Sequence, residues 1–183
     1  MRYYLLDASA LLDYVLNFRD PKVQRVRQAV SKLVALHEQR RASLFVPNIC
    51  MAECSKAIAR KAYAGGWSSE GDDVYARHVD VLLKLVSTGR SGKIRSLELR
   101  HEHLRDIEDV FRLEYQMPAR ERKSRLSGVD AVVIAMGREL ARQYGNDRVV
   151  IVTAEWWMAE VCGRNRGALP AAVCAVERPV PDA

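Results

Sequence analysis

The chain alternates short apolar runs with longer segments in which apolar residues recur every three or four positions. Residues 2–6 are short, apolar and aromatic-rich, which predicts a buried strand. Residues 8–16 then set Leu11, Leu12 and Val15 on one side of a helix. Asp20-Pro21 supplies a cap acceptor followed by proline at the first helical position. The helix it opens carries Val23, Val26, Val30, Leu33, Val34 and Leu36 on one face and arginines and lysines on the other. Residues 43–46 form a second strand, and Pro47 opens a helix along which Ala52, Ile58 and Ala59 recur. Gly65-Gly66-Trp67-Ser68-Ser69 breaks that helix. A further helix is predicted from about 70 to 86, a loop over 88–93, and a weak strand around Ile94, Leu97 and Leu99. Residues 101–115 are helical, and residues 116–127 form a polar, basic loop with Pro118. Ser127 caps a helix that reaches about residue 144, with Gly145 suited to its end. Residues 149–153 are the clearest strand, 155–163 a helix and 172–176 a last strand. Strands alternating with helices predict an α/β fold: a three-layer α/β/α sandwich around a short central parallel sheet.

Composition changes this picture little. A chain of 183 residues can bury one core, so a single domain is expected over 1–183. The formal net charge of +6 permits a polyanionic partner without requiring one. Cys50, Cys54, Cys162 and Cys174 form no C-x-x-C pair and have no histidine at zinc spacing. They read as buried free thiols in a reducing, cytoplasmic setting. No signal peptide is expected, and no run is long and apolar enough for a membrane span.

The candidate chemistry lies in four acids. Asp7 ends the first apolar run, and Glu53 lies one helical turn past the second. Asp130 opens Asp130-Ala131-Val132-Val133-Ile134-Ala135, and Glu155 follows the run 149–153. Ligands bind at strand ends in open α/β sheets. Carboxylates gathered there repel one another unless a cation lies between them, and hard oxygen donors suit Mg²⁺ or Mn²⁺. Taken singly, Asp7 reads as a helix cap, Glu53 as a solvated helix residue, and Asp130 and Glu155 as acids favoured by helix dipoles. Taken together, they favour a shared acidic site. Asp13 and Glu160 read as surface positions, as do His37, His78, His101 and His103.

In this order, the four segments resemble the motifs of PIN-domain nucleases. Asp7-Ala8-Ser9-Ala10-Leu11-Leu12 resembles the first, and Val46-Pro47-Asn48-Ile49-Cys50-Met51-Ala52-Glu53 the second. Asp130 to Ala135 resembles the third, and Val150-Ile151-Val152-Thr153-Ala154-Glu155 the fourth. The resemblance implies a metal-dependent endoribonuclease that leaves a 3′-hydroxyl and a 5′-phosphate, and extends to the VapC toxins among compact PIN domains. Asp7, Glu53, Asp130 and Glu155 would hold Mg²⁺ or Mn²⁺, with Ser9 and Thr153 as hydrogen-bonding support. It further implies RNA as substrate, a small antitoxin as partner, and a homodimer. Glu155 departs from the aspartate usual in the fourth motif. This keeps open an alternative: a PIN-fold module that binds RNA or protein and does not cleave.

Arg120, Arg122, Lys123 and Arg125 lead towards Asp130 and read equally as an RNA-backbone contact or a solvated loop. Of Trp156 and Trp157, at least one is expected in the core; Trp67 is undecided. Gly89-Arg90-Ser91-Gly92-Lys93 lacks the spacing of a phosphate loop, and there is no dinucleotide fingerprint or nucleophile elbow. A phosphoacceptor domain is disfavoured because residues 149–176 contain no lysine, while a small-molecule phosphatase stays open.

Overall fold

A computed structural model describes residues 1–16, 20–64, 66, 68–87, 93–118 and 125–181. Their strands are β1 (Arg2–Leu6), β2 (Ala42–Pro47), β3 (Val86–Ser87), β4 (Ile94–Leu97), β5 (Val149–Thr153) and β6 (Ala171–Cys174). The helices are α1 (Ala8–Val15), α2 (Pro21–Glu38), α3 (Asn48–Ala62), α4 (Ser69–Leu85), α5 (His101–Gln116), α6 (Gly128–Tyr144) and α7 (Trp156–Arg164). Every ladder is parallel, in the order β3-β4-β2-β1-β5-β6. Helices flank this sheet as the outer layers of the α/β/α sandwich.

The order shows where the chain reverses. From β1 it builds outward through β2 to β3 and β4, then returns to β5 and β6 on the other side of β1. Right-handed crossovers in opposite directions place α1–α4 and α5–α7 on opposite faces. The switch point therefore lies between β1 and β5, where a crevice opens beyond the carboxyl ends of the strands. Leu5 pairs with Ile151, and Leu6 with Val152, so the chain leaves both strands at the same level.

The central strands are buried on both faces, which explains their continuous apolar runs. Helix α6 buries Ala131 through Gly137 without a break. A β-carbon on Gly137 would lie 2.9 Å from Ile151 Cδ1 and 3.1 Å from Pro170 Cγ, so glycine permits a close seat on β5. At the far end of α6, Tyr144 stacks on Tyr3 of β1 with ring centroids 3.9 Å apart. Gly145, at φ +99°, terminates the helix in a conformation that glycine adopts without strain. Asp20 caps α2 through Lys22 N–H at 2.7 Å, with Pro21 in the first turn, as the sequence predicts.

Three expectations are corrected. Val86, assigned by periodicity to a helix, opens the short strand β3 because it pairs with Ile94. The last strand spans Ala171–Cys174 instead of 172–176, following its register with Val150 to Thr153. His103 is buried, at 2% exposure. Its Nδ1 accepts the Arg100 N–H at 2.9 Å, and its Nε2 faces Glu139 of α6. A histidine with both ring nitrogens engaged is accommodated in a helix interface. All four cysteines are free and buried. No helix among the described residues is long and apolar enough to cross a membrane.

Candidate functional site

Asp7 leaves β1 at the switch point and caps α1. Its Oδ1 accepts the Ala8 N–H at 2.6 Å. Its Oδ2 accepts the Ser9 hydroxyl at 2.7 Å and the Thr153 hydroxyl at 3.0 Å. These hydroxyls in turn accept backbone donors: Ser9 Oγ from Ala154 N–H and Thr153 Oγ1 from Glu155 N–H, both at 2.9 Å. Asp7 is 3% exposed and Thr153 is fully buried. The net stitches the β1–α1 turn to the β5–α7 turn. It gives Asp7 the cap role and a fixed orientation at once.

Glu53 is half-buried on α3, one turn after Cys50. Ligand atoms of Asp7, Cys50 and Glu53 lie within 4.8 Å of one another. Asp130 stands in the first turn of α6, where its Oδ2 accepts the Ser127 N–H at 2.7 Å while Ser127 Oγ accepts the Asp130 N–H at 3.1 Å. This reciprocal cap places the carboxylate at a helix N-terminus, which favours negative charge. Glu155 occupies the cap position of α7 without a side-chain cap bond and is exposed.

The charges of the four acids act on one another, although the ligand atoms within 4.8 Å of one another do not include those of Asp130 or Glu155. Burial pushes Glu53 above the usual carboxylate range, and the charges of Asp7 and Asp130 add to it. Burial also raises Asp130; its Ser127 bonds oppose the shift, and Asp7 and Glu114 reinforce it. Glu155 is raised by burial, then by Asp130 and Asp7. A cation would relieve this repulsion. The donor set fits a hard ion. The Cys50 thiol is pushed far above its ordinary range, first by burial and then by Asp7, so oxygen donors dominate. The buried Cys50 thiol nevertheless lies beside Asp7 and Glu53, a juxtaposition that spacing alone did not reveal.

Asp13 is corrected from surface to half-buried. Burial, with the charges of Asp20 and Glu155, raises its pKa to about 6. It lines a hollow beside the acids, because α1 turns this face towards α3. Glu114 was overlooked as a site neighbour. It is 2% exposed and accepts Leu126 N–H at 2.8 Å and Trp157 Nε1–H at 2.7 Å, both at Oε1. Its signal was an acid one turn after Val110, on the apolar face of a helix. Glu160 bonds Arg164 at 2.6 Å on the surface side of α7. Trp157 is core, as expected for one of the pair, and Trp156 is partly exposed against its edge at 5.2 Å. Arg125 is exposed, donates to Tyr115 Oη at 3.1 Å and covers its ring. Arg120, Arg122, Lys123 and Trp67 lie outside the described residues.

No protein-family model matches the chain. No curated protein matches it. Among solved structures, it is similar to PAE2754 from Pyrobaculum aerophilum at 19% sequence identity, covering 94% of this chain and 84% of that one, with a TM-score of 0.44. A likeness at that level says nothing about activity.

Proposed function

We propose that this chain is a divalent-cation-dependent endoribonuclease of the PIN type. The observation that carries the reading is the convergence of Asp7, Glu53, Asp130 and Glu155 at the switch point, with Asp7 buried and held by Ser9, Thr153 and Ala8. Asp7, Glu53, Asp130 and Glu155 would hold Mg²⁺ or Mn²⁺. Such a cation lowers the pKa of a water and neutralises phosphate charge. Ser9 and Thr153 keep the Asp7 carboxylate in one orientation, so its oxygens need no reorganisation when substrate arrives. The four carboxylates need not all ligate such a cation. One that is not engaged can take the proton of the attacking water at its carboxylate oxygen. RNA as substrate follows from the resemblance and accords with the basic net charge. An antitoxin partner, a homodimer and a cytoplasmic location belong to the same reading.

The test is cleavage of a mixed RNA pool in Mg²⁺ or Mn²⁺, against EDTA, by the wild type and Asp7→Asn. Cleavage that needs both metal and Asp7 supports the nuclease; cleavage indifferent to either overturns it. One observation favours a second reading, a binding module that no longer cleaves. Glu155 is exposed and unanchored, and the group of ligand atoms found within 4.8 Å of one another among the described residues joins Asp7 and Glu53 to Cys50, without Asp130 or Glu155. Metal binding or RNA binding without turnover would favour that module.

A further inference from the structure

Beside the acids lies a hollow of about 400 Å³. One wall is α1, contributing Ser9, Leu12, Asp13 and Leu16; the other is α3, contributing Ala57 and Lys61. The β5–α7 turn closes it with Ala154 and Glu155. Two of these residues belong to the acidic site: Ser9 donates to Asp7 Oδ2 at 2.7 Å, and Glu155 is the fourth acid. Whatever occupies the hollow therefore sits directly against the reacting centre.

Its chemistry is selective. Leu12, Leu16, Ala57 and Ala154 provide apolar surface against which a base can pack. Asp13 makes no hydrogen bond or ion pair with any described residue, although it is half-buried. Its carboxylate is therefore available to a ligand that enters the hollow. An ionised carboxylate only accepts, so its complement is a donor on the ligand. On a nucleobase edge, that donor is an amino group, as when Asp or Glu accepts from cytosine N4.

We propose that this hollow is a base subsite that seats the nucleotide next to the scissile phosphate and selects a base bearing an amino group through Asp13. The proposal rests on the nuclease reading for its substrate class. Cytosine and uracil form the size-matched test pair: the N4 amino group of cytosine donates where O4 of uracil would meet the carboxylate as a second acceptor.

The experiment titrates CMP and UMP in Mg²⁺ into the full chain and into Asp13→Asn and Asp13→Ala, following binding by NMR. In parallel, single-stranded RNAs differing only by C or U at one position are tested for cleavage. CMP should bind about tenfold more tightly than UMP, the scale of one good base contact. Both variants should bring that ratio close to one. Asn is isosteric but offers a donor as well as an acceptor, and Ala offers neither, so agreement between them separates recognition from misfolding. Equal binding of CMP and UMP, a ratio unchanged in either variant, or no nucleotide binding overturns the subsite. If metal-dependent and Asp7-dependent cleavage persists in that case, the nuclease reading survives alone. If the CMP preference depends on Asp13 but no RNA is cut, the hollow stands as the base site of a binding module, and both the nuclease reading and the placement beside a scissile phosphate fall.

Discussion

The two aspartates and the two glutamates of the acidic centre are held very differently. Asp7 accepts two hydrogen bonds from the first turn of the helix it caps and a third from Thr153 of β5, and Asp130 accepts the Ser127 N–H at the start of the helix it enters. Glu53 and Glu155 accept none from the described residues, and only burial and charge act on them. The aspartate half is thus set by folding, before any ligand arrives. The glutamate half is left for a ligand to order, at up to about 2 kcal/mol of side-chain entropy per glutamate. A centre divided in this way combines a fixed point with adaptable reach.

Mutations can break or sharpen that contrast. Asp7→Asn should lower Mg²⁺-dependent cleavage by more than about a hundredfold, beyond the usual effect of a residue that only supports a ligand. The melting temperature should change little, because asparagine keeps the cap acceptor; initial rates and a thermal melt decide this. Glu114→Ala leaves the Leu126 N–H and the Trp157 indole N–H without an acceptor. At about 1–3 kcal/mol per orphaned donor, it should cost about 2–6 kcal/mol in chemical unfolding. Glu114→Gln, which retains an acceptor, should cost much less.

Ser9→Ala and Thr153→Val should each reduce cleavage by about ten- to a hundredfold, because they loosen Asp7 without removing it. Glu155→Gln, on the unanchored half, should cost only a few-fold in kcat. A loss as large as that of Asp7→Asn would end the distinction between the halves.

The smallest effect concerns pH. Folding raises the pKa of Asp13 from 3.8 to about 6, so the folded state binds that proton more tightly than the unfolded chain. Its contribution is most favourable at acid pH and is lost as pH rises through 3.8 to about 6. Asp13→Asn should therefore be the more stable protein at pH 7 and gain nothing near pH 3.5. Water screens this half-buried group, so the difference in unfolding midpoint should be modest.

The sequence made the central strands and the order of helices legible, because β1, β2 and β5 are continuous apolar runs bounded by a cap or proline. Ser127 and Asp130 were readable for the same local reason. β3 was not, since two residues become a strand only when β4 lies beside them. His103, Glu114 and Asp13 were misplaced or overlooked because each depends on a distant element: Glu139 on α6, Trp157 on α7, and the wall of α3. Positions of the acids could be read from sequence; which of them are clamped could not, because the clamp joins Asp7 to Thr153 across 146 residues.

Gly137 makes α6 a lever. It sits at the contact with Ile151 and Pro170, while Asp130 lies seven residues towards the N-terminal end, a reach of about 10 Å at the helical rise. Any side chain at 137 must push the helix off that fulcrum or displace its neighbours. A small shift there is carried to the tip, where the carboxylate stands. The centre can thus be put out of alignment from the middle of the core, with every acid left in the sequence.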